Sequence, residues 1–410
     1  MFRRLFVAMT TCLFLIQGMV VDVSSVAADE FTELRIGAFG AQVELLQRTL
    51  NARLQPSPEL GVDSDFGSAT EAAVRRFQEL HGQPATGVAD ALLWEVLGPV
   101  VEESVVPAPE IVNAEILTQQ PMDSLDGPPF VSCDSWIIVN AADGSTISGH
   151  EASTPRHFAS TTKIMTAWLV IQLADEHPEV LHEIITMSTR ADETRGSTAG
   201  VRAGESVSVR DGLFGLLLPS GNDMSVALAE HFGARLAPSA GKATTTEADP
   251  LLSFVAAMNA EAARLGMADT HFCNPHGLPV ERHLSTASDL AILAGATQGS
   301  TLFRSFVATR QRGAVVHGPD GTTRNVIWKN TNKLLATGGY DGIKTGTTDQ
   351  AGACLVSTGE HDGQRLIVVV LGSAASESSY VDSRNLYRWG WKQLAETVKS
   401  SRKQSGDPCP

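Results

Sequence analysis

The feature that most restricts how this 410-residue chain can fold lies well before its midpoint. Between Arg76 and Arg156 there is no lysine or arginine, and the middle of that interval, Pro99 to Phe130, holds six prolines and six acidic residues. Each proline fixes φ and removes a backbone N–H, and carboxylates without partners repel one another, so the stretch stays extended and has little to bury. It reads as a linker. It separates a unit over residues 32–98 from a larger one over 131–398, with a tail over 399–410.

The first 28 residues read as an export signal. Arg3 and Arg4 are basic, Leu5 to Val21 are mostly apolar, and Val26-Ala27-Ala28 supplies small residues for cleavage. An uncleaved anchor is the alternative, because the apolar run approaches the roughly 18 residues that a span needs. Thr10, Thr11, Gln17 and Gly18 interrupt it and Asp22 ends it, which favours cleavage. The expected product is exported, periplasmic or extracellular, with no membrane anchor after cleavage. Cys12 would leave with the signal, and Cys133, Cys273, Cys354 and Cys409 would remain where a bridge is allowed, with no spacing that predicts a pairing. With 31 Lys+Arg against 46 Asp+Glu the net charge is −15, which repels nucleic-acid phosphate and anionic lipid alike.

In the first unit, Val43, Leu46, Leu50 and Leu54 share one helical face, as do Ala73, Phe77 and Leu80, and Leu93 with Leu97 suggests a short third helix. Gly61 to Gly67 forms the turn between the first two, with Thr70 near the start of the second. A small three-helix bundle is expected. The run Gly37 to Leu50, Val62-Asp-Ser-Asp-Phe-Gly67, Thr70 to Gln78, and His81-Gly82 through Thr86-Gly87 to Trp94 resembles the peptidoglycan-binding domain found beside many cell-wall hydrolases. That resemblance implies a glycan strand as a partner.

Beyond the linker, strands and helices mix. Trp136 to Asn140 followed by Ala141-Ala-Asp-Gly144 reads as a strand entering a hairpin, and Gly352 to Thr358, a turn at Gly359 to Gly363, and Arg365 to Leu371 read as a second. Helical stretches are expected at Lys163–Leu173, Leu213–Phe232, Leu251–Leu265 and Ser288–Ala294, with a closing helix over Leu386–Val398. Strands at both ends with helices between give an α+β fold, an antiparallel sheet with flanking helices and a helical insertion.

Three short patterns in this region carry chemistry: Ser160-Thr-Thr-Lys163, Ser220-Gly-Asn222 and Lys344-Thr-Gly346. Ser-x-x-Lys also occurs at Ser239–Lys242 and Ser400–Lys403, and Ser-x-Asn at Ser383–Asn385, but Lys-Thr-Gly occurs once in a chain with only eight lysines. Setting separates Ser160 from its decoys. It precedes the apolar run Ile164 to Ile171, which puts it at a helix N-terminus, where unpaired N–H groups can serve an oxyanion, with Lys163 one turn on and facing the same way. A serine hydroxyl needs a base to become a nucleophile. Lysine can be that base if burial and a second cation, here Lys344, lower its pKa. Asn222 could then orient the substrate amide, and Ser220 could relay a proton to the leaving amine.

This ordered set resembles the penicillin-binding and β-lactamase group of serine hydrolases. Phe158 to Thr166, Leu217 to Asp223, Asn274-Pro-His-Gly-Leu278 with Ser285 to Leu290, and Tyr340 to Thr347 narrow the resemblance to the serine D-alanyl-D-alanine carboxypeptidases. It implies acylation of Ser160 by a peptidoglycan stem peptide ending in D-Ala-D-Ala, release of the terminal D-Ala, and hydrolysis by water. It also implies an oxyanion hole at the N–H groups of Ser160 and Thr347, Thr345 and Gly346 beside the substrate with Thr345 near its carboxylate, β-lactams as covalent inhibitors, and neither cofactor nor metal. Three departures stand out. Ser379 occupies a position where the family often has a carboxylate-holding arginine, for which Arg384 or Arg388 could substitute; Ala237 to Pro250 reads as an extra surface loop; and the chain ends soon after the closing helix, without the β-rich domain and amphipathic tail of many relatives.

Alternatives are a DD-endopeptidase, a β-lactamase, a zinc peptidase and a non-catalytic wall-binding protein. The endopeptidase would use the same residues. The β-lactamase is disfavoured by Ser220-Gly-Asn in place of Ser-Asp-Asn, the zinc enzyme by an isolated Glu179-Val-Leu-His182, and the binding protein by the intact motifs. His276, in Asn-Pro-His-Gly, reads as part of a turn rather than as a base.

Overall fold

The computed structural model describes residues 32–101, 108–117, 119, 122, 130–236 and 249–405. The export segment, part of the proline-rich stretch, most of the Ala237–Pro250 loop and Cys409 lie outside the described residues.

The first unit is the expected bundle, α1 (Ala41–Arg53), α2 (Ser68–Leu80) and α3 (Ala91–Leu97). Val43, Leu46, Leu50, Leu54, Val74, Phe77, Leu93 and Leu97 close its core around Phe66. Leu80 does not join them. It is 63% exposed at the last turn of α2, where the chain bends away at His81-Gly82, and Val74 fills the core in its place. The turn from Gly61 is pinned by buried Gln47, whose Nε2 donates to Asp63 Oδ1 at 2.7 Å, to the Asp65 carbonyl at 3.0 Å and to Thr70 Oγ1 at 3.1 Å.

The proline-rich stretch is not wholly a free tether. Pro109–Ala114 forms α4, which buries Val112 and lies against a strand of the second unit, where Asn113 Oδ1 accepts from Gly313 N at 2.8 Å. An apolar side chain and a paired amide give this segment the contacts that its composition did not suggest.

The second unit continues with β1 (Ser135–Asn140), β2 (Thr146–His150), α5 (Lys163–Glu176), β3 (Ile184–Thr186), α6 (Thr189–Asp192), β4 (Ser206–Ser208), α7 (Val209–Leu217), α8 (Asn222–Leu236), α9 (Pro250–Leu265), α10 (Ala287–Thr297), α11 (Thr301–Ala308), β5 (Gln311–His317), β6 (Thr323–Lys329), β7 (Tyr340–Thr348), β8 (Gly352–His361), β9 (Gln364–Ser373) and α12 (Ser376–Ser405). An antiparallel sheet of order β2-β1-β9-β8-β7 joins the two ends of the unit, as expected. A second sheet, β3-β4-β5-β6, was not expected. β3 and β4 are three residues each, too short for a period to register, although Gly318-Pro-Asp-Gly321 between β5 and β6 carries a turn signature.

Two expectations change in detail. The second hairpin turns more tightly, since pairing runs out to His361↔Gln364 and leaves Asp362-Gly363, both at positive φ, as a two-residue loop. The stretch Leu213–Phe232 is two helices, broken at Pro219-Ser220-Gly221, and that break sets Ser220 in the site. α5 runs through the core, every residue from Lys163 to Ile171 buried, while α12 covers the other face of the large sheet with Leu386, Tyr387 and Trp391. Among the described residues no helix is long and apolar enough to cross a membrane.

Candidate active site

Ser160 sits in a 3-10 turn, Ala159–Thr162, that runs directly into α5, so Lys163 is the first residue of the α-helix. The preceding Ala159 has φ +46, in the left-handed region that disfavours a residue with a Cβ. Neighbours hold it there: Gly277 packs so closely that a Cβ on it would lie 2.0 Å from the Ala159 carbonyl oxygen. Thr162 Oγ1 bonds both that carbonyl and His283 Nε2, each at 2.8 Å. The turn that carries Ser160 is therefore braced through Ala159 and Thr162.

Lys163 Nζ touches three oxygens: Ser160 Oγ at 2.9 Å, Asn222 Oδ1 at 2.6 Å and the His276 carbonyl at 2.8 Å. The last two can only accept. A neutral amine has two hydrogens for those acceptors, and its lone pair is then left to face the serine hydroxyl. The lysine is fully buried, and this burial, followed by the nearby Lys344 charge, holds its pKa well below the usual lysine value against an opposing pull from Asp223. Lys344, on β7, is also buried and is brought down to about 7 by that burial.

Ser220 lies at the break between α7 and α8 with φ +69, and its buried hydroxyl has no hydrogen-bond partner among the described residues. Asn222 Oδ1 faces Lys163, and its Nδ2 donates one N–H to the Arg195 carbonyl at 2.6 Å. Next to it, buried Asp223 accepts from Ala199 N, Gly200 N and Thr198 Oγ1, tying the loop over residues 195–200 to the start of α8. Sequence reading assigned Asp223 no role, although it directly follows the motif. His276 is a turn residue, as read: Nδ1 accepts from Leu278 N, and burial takes its pKa to about 3.

β7 forms the facing wall. Gly346 lies where a Cβ would come within 2.7 Å of Ser160 N and 3.0 Å of Thr161 N, so the missing side chain is what leaves the nucleophile's N–H accessible. A cleft of about 330 Å³ between the walls is lined by Ser160, Ser197, Ser220, Thr345, Gly346 and Thr347, and also by Thr331, Lys333, Ser376, Glu377, Ser379 and Tyr380. Thr345 Oγ1 bonds Thr331 Oγ1 at 2.6 Å, and Lys333 Nζ pairs with Glu377 at 2.5 Å. Ser379 therefore is in the cleft, whereas Arg384 and Arg388 do not line it. Lys333, which sequence reading passed over, supplies a cation there.

The described decoy Ser-x-Asn, Ser383 to Asn385, is on α12 outside the cleft, and its Asn385 bonds the Phe130 carbonyl.

Comparison with known proteins follows the same lines. Residues 123–375 match the family described as D-alanyl-D-alanine carboxypeptidase, and residues 39–97 match a putative peptidoglycan binding domain. A D-alanyl-D-alanine carboxypeptidase of Streptomyces sp. (strain K15) is 30% identical over 293 residues, 70% of this chain and 97% of that protein. The D-alanyl-D-alanine carboxypeptidase DacC of Escherichia coli is 32% identical over 66% of this chain, which spans 64% of that relative's length; for DacD of Salmonella typhimurium the span is 65%. The crystal structure of the Streptomyces K15 DD-transpeptidase superposes with a TM-score of 0.59 at 31% identity, covering 65% of this chain and 100% of that one. The family match over residues 123–375, with the likeness to a solved DD-transpeptidase and a helical peptidoglycan-binding domain ahead of it, shows that this chain belongs to the serine D-alanyl-D-alanine carboxypeptidase family.

Proposed function

We propose that the chain removes the terminal D-Ala from peptidoglycan stem peptides, with Ser160 as nucleophile and Lys163 as its base. The observation that carries this reading is the fully buried Lys163 Nζ at 2.9 Å from Ser160 Oγ, with its other two contacts acceptors. Ser160 Oγ attacks the carbonyl carbon of the penultimate D-Ala as its proton passes to Lys163, and the negative charge on the carbonyl oxygen is met by the N–H groups of Ser160 and Thr347. The C–N bond then breaks. The proton returns through Ser220 to the leaving amine, a task that suits a buried hydroxyl without a partner among the described residues. Water hydrolyses the ester by the reverse proton path and regenerates Ser160.

Lys344 keeps Lys163 neutral by its charge and attracts the anionic end of the substrate, while Asn222 positions Lys163. Thr345, Gly346 and Thr347 line the substrate's path. In place of the arginine common in the family, Lys333 receives the substrate carboxylate, exchanging Glu377 for it. The division into an exported, wall-associated protein with a glycan-binding bundle over 32–98, a linker over 99–130 and a peptidase over 131–398 belongs to the same reading, and so does covalent inhibition by β-lactams.

Labelling by a fluorescent penicillin tests it. Wild type labels and Ser160→Ala does not; a labelled mutant sinks the assignment. Release of D-Ala from a soluble pentapeptide, set against cleavage of a cross-linked dimer, separates carboxypeptidase from endopeptidase.

A further inference from the structure

The bundle and the peptidase domain meet beside the active site. Phe39, just ahead of α1, lies under the Arg195 guanidinium, 4.9 Å from ring centre to Cζ, and Glu44 on α1 pairs with Arg202 at 2.8 Å. Between them is a cleft of about 240 Å³ lined by Phe39, Asp63, Asp192, Glu193, Arg195 and Gly196, among others. Its far wall is the loop that carries Ser197. Gly196 and Thr198 line the seam, whereas Ser197 between them lines the catalytic cleft with Ser160. One thickness of backbone separates the two.

We propose that this seam is where the enzyme holds the saccharide of its polymeric substrate, a reading that rests on the peptidase assignment above. Three observations carry it. Phe39 remains 49% exposed although it belongs to an interdomain contact, which leaves aromatic surface for the apolar face of a sugar ring. Around it are carboxylates that accept from hydroxyl and amide N–H groups and guanidinium groups that donate, a balance suited to a neutral polar ligand rather than an anion. Arginines at the adjoining interdomain cleft are each tied to a carboxylate, Arg48 and Arg202 to Glu44 and Arg324 to Glu205, so no free cationic patch competes.

Covalent connectivity adds a constraint. A five-residue stem spans at most roughly 17 Å when extended, so the sugar that bears it must be bound close to Ser160. A seam on the other side of the Ser197 wall meets that requirement. It also joins recognition to chemistry, since the Arg195 carbonyl, on the residue whose side chain covers Phe39, is the acceptor that fixes Asn222.

The test uses the full mature chain carrying Ser160→Ala, co-sedimented with purified peptidoglycan sacculi. Phe39→Ala weakens sedimentation about tenfold, the size expected when an aromatic anchor is removed. Leu80→Ala, at another exposed apolar position of the same bundle, sediments as the parent does. In the chain with Ser160 intact, Phe39→Ala lowers D-Ala release from sacculi about threefold or more relative to release from a free pentapeptide. Equal sedimentation of Phe39→Ala and its parent, an equal loss in Leu80→Ala, or an unchanged ratio of the two D-Ala rates overturns the proposal. Failure of the peptidase reading looks different: wild type then releases no D-Ala from the free pentapeptide, while the Phe39 and Leu80 sedimentation arms still report on the seam.

Discussion

Lys163 and Lys344 are both buried and lie close enough for their charges to interact, but the walls that carry them treat polar groups differently. On the helical wall the polar groups are engaged except for the Ser220 hydroxyl. Lys163 has three oxygen partners, Asn222 is held at both ends of its amide, and Asp223 ties down the loop behind it. On the strand wall Lys344 Nζ donates only to its neighbour's carbonyl, Thr345 O at 3.0 Å, among the described contacts, and Gly346 offers no side chain at all. The helical wall is preorganised to move one proton. The strand wall is left open so that substrate completes it.

The sharpest way to break this contrast is Lys163→Arg. A guanidinium stays charged, cannot accept the serine proton and cannot present a lone pair, so acylation by penicillin or peptide falls by at least about a thousandfold. A modest loss measured by stopped-flow acylation would show that Lys163 is not the base. Next in size is Lys344→Met, which removes the charge without adding a polar group and lowers kcat/KM by about a hundredfold.

The pH profile sharpens the same comparison. Both lysines have folded pKa values below their unfolded ones, so each favours its neutral form. Activity rises with pH as Lys163 loses its proton, then falls as Lys344 loses its charge near about 7, giving a bell in kcat/KM. In Lys344→Met the alkaline limb disappears. A limb that persists in that variant would assign it to another group. The smallest effect belongs to Lys333→Ala at the exposed end of the cleft, where KM rises about threefold to fivefold with kcat little changed. A change in kcat alone would remove Lys333 from substrate recognition.

What the amino-acid order revealed follows the same division. Ser160 with Lys163, Ser220 with Asn222 and Lys344 to Thr347 are each contiguous, and local turns or a strand set their relative geometry, so their spacing was readable. Thr331, Lys333, Ser376 and Tyr380 line the cleft from outside the three motifs, the last two from α12, and nothing local marks them. The loop at 195–200 was silent because most of its bonds to Asn222 and Asp223 are made by backbone carbonyls and N–H groups, with the Thr198 hydroxyl adding one. Helical periodicity placed Leu46 and Leu50 correctly but not Leu80, since a shared face stops being buried where the bundle ends. The small sheet escaped because two of its strands are shorter than a detectable pattern.

The open space at Gly346 also limits how such an enzyme can evolve away from its inhibitors. In the proposed mechanism substrate and β-lactam both place their carbonyl oxygen at the Ser160 N–H, and a single added methyl at residue 346 would stand 2.7 Å from that nitrogen. It would exclude the drug and the cell-wall peptide together. Mutational escape must then come from the parts of the cleft where the two ligands differ in shape, toward Lys333 and Tyr380, and not from the Lys-Thr-Gly segment on which both depend.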